Sequence, residues 1–247
     1  MVPLAEVGKA QGQALVAALR ACPLDATNQR LEDCHLLSPA YTGTGYARRV
    51  LQRLVVLPQG RHSSTLESVR ASNNSARCFV MTLRDPLDRI ESGVRYRLMT
   101  NATWNSSSTS VAMSRKMYEV ARQLPSADAL VAAWRRTDHP FHDFAAQLAL
   151  SSNPPRMQAD MLRGHVCGKT AVRVLCTNSL PSDLQRLGLD FGRQLHIKPN
   201  TPRPRSEDAL VHSVDMRRWF SCHAAAADTW LFHGMCGGME GGRNPCQ

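Results

Sequence analysis

The residues best suited to chemistry lie where an apolar run ends at an arginine. The run Cys78–Leu83 has the composition of a β-strand, and Arg84 follows it directly. Asp85 is a favourable N-cap and Pro86 suits the first helical position, so we expect a helix to begin here. Ser92 then lies about two helical turns beyond Arg84. A guanidinium and a hydroxyl at the carboxyl end of a strand, where open α/β sheets bind ligands, suit an oxyanion such as a phosphate.

The segment around Arg84 resembles the 3′-phosphate-binding signature of the sulfotransferases, which reads R-D-P-x-D-R-x-x-S. The matching residues of this chain are Arg84, Asp85, Pro86, Asp88, Arg89 and Ser92. In that family the arginine and the serine hold the 3′-phosphate of 3′-phosphoadenosine 5′-phosphosulfate (PAPS). The resemblance therefore implies that Arg84 and Ser92 bind PAPS. Without the resemblance, the same residues also fit an ordinary strand–helix junction with solvated arginines.

A second segment that is expected to bind phosphate lies upstream, where residues 41–46 read Y-T-G-T-G-Y. Glycines between a strand and a helix let backbone N–H groups face an anion at the helix N-terminus. The sulfotransferases place a loop of the type K-x-G-T-T/S here, and it grips the 5′-phosphosulfate. The resemblance implies that the residues binding this group are Thr42, Gly43, Thr44, Gly45 and Tyr46.

Tyr41 departs from the family pattern, because it stands where the loop lysine would be. In the family, that lysine stabilises negative charge on the bridging oxygen. Its replacement bears on catalysis more than on binding. Arg48 or Arg49, one turn into the predicted helix that follows, is our candidate to supply the charge from another direction.

The candidate bases for sulfuryl transfer are His62 and Glu67. Transfer to a hydroxyl needs a base for the acceptor proton and cations for the departing phosphate. Several carbohydrate sulfotransferases place a His or Glu near the end of the strand after the phosphosulfate loop, so His62 is the first candidate and Glu67 the second. An exposed loop histidine is the alternative interpretation of His62. Lys198 begins a stretch that resembles the family's late nucleotide-side loop, which implies a role in cofactor binding.

Two further motifs suggest chemistry that we do not assign. His139 and His142 suggest a metal site by composition, but the intervening Pro140 breaks any shared helical face and sulfuryl transfer needs no metal. We interpret them as a local capping cluster and predict no metal. Residues 164–170, G-H-V-C-G-K-T, end like a Walker A loop. They precede a predicted strand instead of following one, so a kinase or NTPase is not predicted.

The charge balance favours an anionic partner. The 247 residues include 30 basic and 20 acidic residues, which gives a formal net charge of +10. No long Lys/Arg tract with interleaved aromatic residues occurs, and aromatic residues make up only 6%, so we expect no nucleic-acid groove. The expected partner is a hydroxyl-bearing acceptor, a glycan. No apolar run of about 18 residues occurs, so no transmembrane span is predicted.

The cysteines divide into two predicted groups. Cys78 and Cys176 lie in apolar strand-like runs and are predicted to be buried thiols. Cys22 and Cys34, and Cys236 and Cys246, lie in loop-like sequence where disulfides are geometrically plausible, and the pairing is left open.

Three N-x-S/T sequons, at Asn73, Asn101 and Asn105, lie in polar stretches. Together with the loop cysteines they favour the Golgi lumen or another part of the secretory pathway, for a chain without its anchor. A soluble cytoplasmic relative is the alternative.

Strand-like and helical segments alternate along the chain. Strands are predicted at 34–39, 54–57, 78–83 and 171–177. Helices are predicted at 1–21, 46–54, 65–71 and 86–98, in segments of 111–163, from the end of the last strand through 187, and at 211–232. This pattern predicts the α/β class, as a P-loop-like three-layer domain with a mainly parallel central sheet flanked by helices. We assign residues 1–33 to an N-terminal helical extension, 34–235 to a sulfotransferase-like domain and 236–247 to a Gly-rich tail.

The sequence thus predicts a sulfotransferase that moves a sulfuryl group from PAPS to a hydroxyl acceptor, a carbohydrate. The alternative is a catalytically impaired module that binds a nucleotide or a glycan without turnover, and the oligomeric state is left open.

Overall fold

The computed structural model describes residues 4–22, 33–37, 65–72, 76–90, 92, 116, 118–150, 157–186, 214–237 and 246. These residues form helices and strands, with a small parallel sheet flanked by helices. The predicted combination of a parallel sheet with flanking helices is confirmed, and the P-loop-like three-layer arrangement stays a prediction.

The sheet contains three described strands in the order β1 (Cys34–Leu37), β2 (Cys78–Leu83) and β3 (Ala171–Cys176), and both pairings are parallel. All six residues of β2 are buried, as is usual for a central strand covered on both faces. Three predicted strands are therefore confirmed. The strand predicted at 54–57 and the helix predicted at 46–54 lie outside the described residues.

Helices occupy most of the remaining described chain. In chain order they are α1 (Leu4–Ala21), α2 (Leu66–Ser72), α3 (86–90), α4 (118–123), α5 (Ala127–Arg135), α6 (His142–Leu150), α7 (Leu180–Arg186), α8 (Val214–Trp219) and α9 (Ala226–Met235). A 3₁₀ helix, Ala159–Leu162, lies between α6 and β3. Within the described residues, no helix has both the length and the apolar character needed to cross a membrane.

The single helix predicted over 211–232 is wrong, because a π-helical turn, Phe220–Ala224, separates α8 from α9. The Ala225 N–H donates to the Phe220 carbonyl over 2.7 Å, five residues back. Phe220 and Ala225 pack into one core, whereas Leu231 packs into another. The wider turn changes which side of the helix faces inward, and this stretch contains no Pro or Gly that could have signalled it.

Two hydrophobic cores fill the described structure. The first lies between the sheet and helices α1, α2 and α9, and its members include Val16, Leu66, Phe79, Met81 and Leu231. The second lies among helices α3 to α6 and α8, and its members include Ile90, Val120, Leu130, Met216 and Phe220. Only Arg84 and Asp85 separate β2 from α3, and we call these two residues the strand tip. Since Leu83 packs into the first core and Ile90 into the second, the strand tip lies where the two cores meet.

Helix α1 packs closely on α9 through small residues. A Cβ atom added at Gly12 would lie 2.6 Å from the Ala227 carbonyl oxygen. The Arg20 guanidinium donates to the Gly234 carbonyl over 2.7 Å. These contacts join α1 to the first core. The division of the chain into segments 1–33, 34–235 and 236–247 stays a prediction.

Every cysteine is in a disulfide: Cys22–Cys167, Cys34–Cys78, Cys176–Cys236 and Cys222–Cys246. Cys78 and Cys176 are buried, as predicted, but the prediction that they are thiols is wrong. The pairing, which the sequence left open, joins segments that are distant in the chain. Parallel register explains one case, because it places Cys34 directly opposite Cys78 with Cα atoms 4.4 Å apart. Helix α9 explains another, because its carboxyl end returns to the end of β3 and brings Cys236 to Cys176.

Four disulfides are typical of proteins that fold in an oxidising compartment. They are consistent with a secreted or lumenal protein.

Candidate functional site

The candidate site lies at the carboxyl edge of the sheet, just beyond β2. Parallel strands end at the same edge of a sheet, so the described residues Arg84, after β2, and Thr177, after β3, both lie at this edge. Arg84 follows the last residue of β2, and Pro86 opens α3. The predicted strand–helix junction around Arg84 is confirmed.

Asp85 caps α3, as its sequence position predicted. Its Oδ1 atom accepts hydrogen bonds from the backbone N–H groups of Leu87, at 2.9 Å, and Asp88, at 3.3 Å. Burial raises the pKa of the Asp85 carboxyl above its ordinary value, although these hydrogen bonds and the charge of His233 on α9 act in the opposite direction. The helix N-terminus is thus already occupied by a side chain.

Gln158 holds the backbone of Arg84 on the other side. The Arg84 N–H donates to Gln158 Oε1 over 2.9 Å, and Gln158 Nε2 donates to the Arg84 carbonyl over 2.8 Å. Gln158 is completely buried. No local motif predicted this contact, because Gln158 lies far along the chain, just before the 3₁₀ helix.

A buried carboxylate, Asp228 on α9, lies behind Gln158. It accepts hydrogen bonds from the backbone N–H of Gln158, at 2.8 Å, and of Ala159, at 2.7 Å. The Arg89 guanidinium lies 3.6 Å from Asp228 Oδ2, and both side chains are buried. Burial raises the pKa of Asp228, and the Arg89 charge opposes that shift. Arg89 is therefore linked to Arg84 from inside the protein, through Asp228 and Gln158.

The end of β3 is held by a similar arrangement around Asp183. Its Oδ2 atom accepts the Cys176 N–H over 2.6 Å and the Ser179 hydroxyl over 3.2 Å. Its other oxygen contacts the Arg186 guanidinium. The Asp183 carboxylate, like that of Asp85, is engaged with neighbouring groups of the chain.

Comparison with known proteins found no matching family model, no matching curated protein and no matching solved structure. The functional argument therefore depends on the residues of this chain and on their geometry.

The predicted site residues fall into two groups. Ser92 is half-buried and helical, two residues past α3, and Glu67 is exposed on α2. The Glu67 N–H donates to the Arg163 carbonyl over 3.2 Å. The two residues that flank the 3₁₀ helix thus make these contacts: Arg163, after it, bonds to the backbone of Glu67, and Gln158, before it, bonds to the backbone of Arg84. Outside the described residues lie Tyr41, Thr42, Gly43, Thr44, Gly45, Tyr46, Arg48, Arg49, His62 and Lys198.

The Walker-like stretch 164–170 is a tight turn that leads into β3. Gly164 and Gly168 have positive φ angles of 85° and 76°. The Thr170 hydroxyl bonds within the turn, to the N–H and the carbonyl of Val166, each at 3.1 Å. Lys169 therefore precedes a strand, which confirms the reason for setting the NTPase motif aside.

His139 is engaged in a local turn, as predicted. Its Nδ1 atom accepts the Phe141 N–H over 3.2 Å, and the His142 N–H donates to the His139 carbonyl over 2.9 Å. In the part of the chain that the structure describes, no three His, Cys, Asp or Glu side chains come together as a metal site would require.

Sequence reasoning did not predict a cavity of about 460 Å³ between α5 and α8. Its lining includes Val131, Met216 and Trp219. At its rim Arg135 lies 3.0 Å from Asp215 and stacks over the Trp219 ring at 5.8 Å. These polar groups already satisfy one another, and none belongs to the strand-tip site.

Proposed function

We propose that the protein binds PAPS at the carboxyl edge of the sheet and transfers its sulfuryl group to a hydroxyl of a carbohydrate. One observation carries this proposal: Arg84, the arginine of the sulfotransferase-like segment, directly follows the fully buried central strand and precedes a capped helix. This is the setting in which the segment would bind a 3′-phosphate.

The described residues fit the phosphate end of the cofactor. The Arg84 guanidinium offers several donors in a plane, which match a phosphate well, and Ser92 adds a hydroxyl. The nearby carboxylates of Asp85 and Asp228 accept hydrogen bonds from the backbone.

Bound PAPS would supply the sulfuryl group and a phosphate leaving group. The acceptor oxygen would form a bond to sulfur while the bond from sulfur to the phosphate oxygen breaks, and the acceptor proton would pass to a base. His62 is the first candidate for that base and Glu67 the second. Backbone amides of residues 43–46, with Arg48, would stabilise charge on the phosphosulfate.

A second candidate function is a binding module without turnover. The observation that favours it is Tyr41, at the position of the loop lysine. Such a module would hold the nucleotide or a glycan through the same Arg84 and Ser92 but transfer no sulfuryl group. In either case we place the protein in the secretory pathway, with the Golgi lumen as the proposed compartment.

Isothermal titration with 3′-phosphoadenosine 5′-phosphate (PAP) tests the shared part of both candidates. We expect the wild-type protein to bind and Arg84→Ala to lose measurable affinity, because the principal cation is removed. Arg77→Ala is the matched control, since the exposed Arg77 precedes the opposite end of β2. Unchanged binding in Arg84→Ala, or no binding by the wild type, would overturn the proposal.

Radiolabelled sulfate transfer from PAPS then separates the two candidates. Transfer to a glycan acceptor supports the enzyme. Tight PAP binding without transfer to any member of an acceptor panel leaves the binding module.

A further inference from the structure

We propose that Gln158 is a positioning residue for the anion site, because its side-chain amide fixes the peptide from which the Arg84 side chain extends. This inference rests on the proposed function, since it concerns how the same site is held ready for its ligand. Gln158 itself would make no contact with the ligand.

The hydrogen bonds around Gln158 require a side chain with both an acceptor and a donor. Oε1 accepts the Arg84 N–H over 2.9 Å, and Nε2 donates to the Arg84 carbonyl over 2.8 Å. Nε2 also lies 3.4 Å from Asp228 Oδ2. These partners determine the orientation of the amide, because the N–H needs an acceptor while the carbonyl and the carboxylate need donors.

The Gln158 amide gives the Arg84 backbone two hydrogen bonds of the kind that a neighbouring strand gives inside a sheet. β1 is described to Leu37, which pairs with Met81 of β2. Arg84 lies three residues further on, and its N–H and carbonyl receive from Gln158 the two bonds that a neighbouring strand would supply. Both backbone polar groups of Arg84 are therefore hydrogen-bonded to one buried side chain.

Asp228 holds Gln158 in turn. Its two oxygens accept the backbone N–H groups of Gln158 and Ala159, and it pairs with the buried Arg89. Arg89 belongs to α3, the helix that Arg84 precedes. The contacts thus form a closed ring through Arg84, Gln158, Asp228 and Arg89, which ties the strand tip to the helix on one side and to α9 on the other.

A positioned arginine binds an anion more tightly than a mobile one, because less conformational freedom is lost on binding. Replacing Gln158 should therefore weaken nucleotide binding although the residue does not touch the nucleotide. We expect the dissociation constant for PAP to rise by about tenfold.

The test measures PAP affinity of Gln158→Glu by isothermal titration over a range of pH. This variant keeps the size and the acceptor but loses the donor, so an introduced carboxylate would face the Arg84 carbonyl and Asp228. Acidification protonates that group and restores a donor. We expect the ratio of its dissociation constant to that of the wild type to fall toward one as the pH is lowered. Circular dichroism of both proteins at each pH separates a change in affinity from a pH-dependent loss of folding.

The groups that face the introduced carboxyl are Asp228, Arg89 and the Arg84 peptide. Dividing by the wild-type constant removes the titration of the nucleotide, and the remaining change reports protonation of the introduced carboxyl together with Asp228. Gln158→Met, which introduces no charge, should show the same weakening at every pH. It gives the readout if Gln158→Glu does not fold. Thr229→Val is the matched control, because the Thr229 hydroxyl is buried beside Asp228 and has no hydrogen-bond partner among the described residues.

The outcomes separate the two proposals. If the wild type binds PAP and Arg84→Ala does not, but both Gln158 variants bind like the wild type, the positioning role is wrong and the proposed function stands. If the wild type binds no PAP, the proposed function itself fails.

Discussion

At the scale of single residues, Asp85 shows how burial and hydrogen bonding act against each other. Its carboxyl group satisfies the first N–H groups of α3, which stabilises the helix. Its burial disfavours the charged form, and the net effect is a raised pKa. The hydrogen bonds of the cap therefore stabilise α3, whereas the burial of its negative charge destabilises the folded protein.

This balance predicts a pH-dependent effect of Asp85→Asn. Burial raises the pKa of the folded Asp85 carboxyl above its ordinary value, so the folded state holds the proton more tightly than the unfolded state. Stability from this group is present below the unfolded pKa and is lost as the pH rises through the folded pKa. Asparagine still caps the helix but does not titrate. We expect the free energy of unfolding of the variant to rise relative to the wild type as the pH increases.

Urea unfolding of both proteins from about pH 3 to about pH 7 measures this difference. Asp85→Ala serves as the comparison without a cap and should be less stable than Asp85→Asn by about 1 kcal/mol. A difference between wild type and Asp85→Asn that stays constant with pH would contradict the raised pKa.

Local signals were enough to predict the strand tip but not what holds it. Arg84, Asp85 and Pro86 are adjacent in the chain, and their cap and helix start depend on neighbouring residues. Gln158 and Asp228 reach the tip only because the chain folds back. Since their contacts depend on tertiary packing, no pattern in the nearby sequence could have predicted them.

At the scale of elements, the contact between α1 and α9 depends on the absence of side chains. Gly12 is buried in α1, and a Cβ there would lie 2.6 Å from the Ala227 carbonyl oxygen and 2.7 Å from Trp230 Cβ. Backbone and Cβ atoms cannot move aside as the end of a flexible side chain can. The two helices would have to separate.

Gly12→Ala should therefore destabilise the protein, although alanine favours a helix over glycine by about 1 kcal/mol. We expect overpacking to outweigh that gain and to lower the free energy of unfolding by about 1–3 kcal/mol. Urea denaturation measures the change, with Gln11→Ala on the exposed side of α1 as the control. A Gly12→Ala protein more stable than the wild type would refute the close approach.

Elements with a strong local pattern were predicted, and those shaped by packing were not. β2 is a continuous apolar run between polar residues, and β3 has a similar composition, so both were found. The π-helical turn Phe220–Ala224 has no breaker residue, because it reflects how two cores share one helical stretch.

At the scale of the whole molecule, the disulfides join segments that are distant in sequence. Cys22–Cys167 spans 145 residues and ties the end of α1 to the turn before β3, while Cys176–Cys236 ties β3 to the end of α9. Crosslinks over long loops restrict the unfolded chain strongly. The number of cysteines was evident from the sequence, but their pairing depends on strand register and helix packing, which spacing does not reveal.

The excess of positive charge also belongs to this scale. A net charge of +10 attracts anionic ligands to the molecule as a whole. It does not select a site. In the function we propose, selection depends on the strand tip, where Gln158 holds the backbone of Arg84.

A crystal structure of the protein with bound PAP tests the central claim most directly. The account predicts the 3′-phosphate within hydrogen-bond distance of the Arg84 guanidinium and the Ser92 hydroxyl, with the Gln158 amide still paired to the Arg84 peptide. A nucleotide bound elsewhere, or a 3′-phosphate that contacts neither Arg84 nor Ser92, would contradict it.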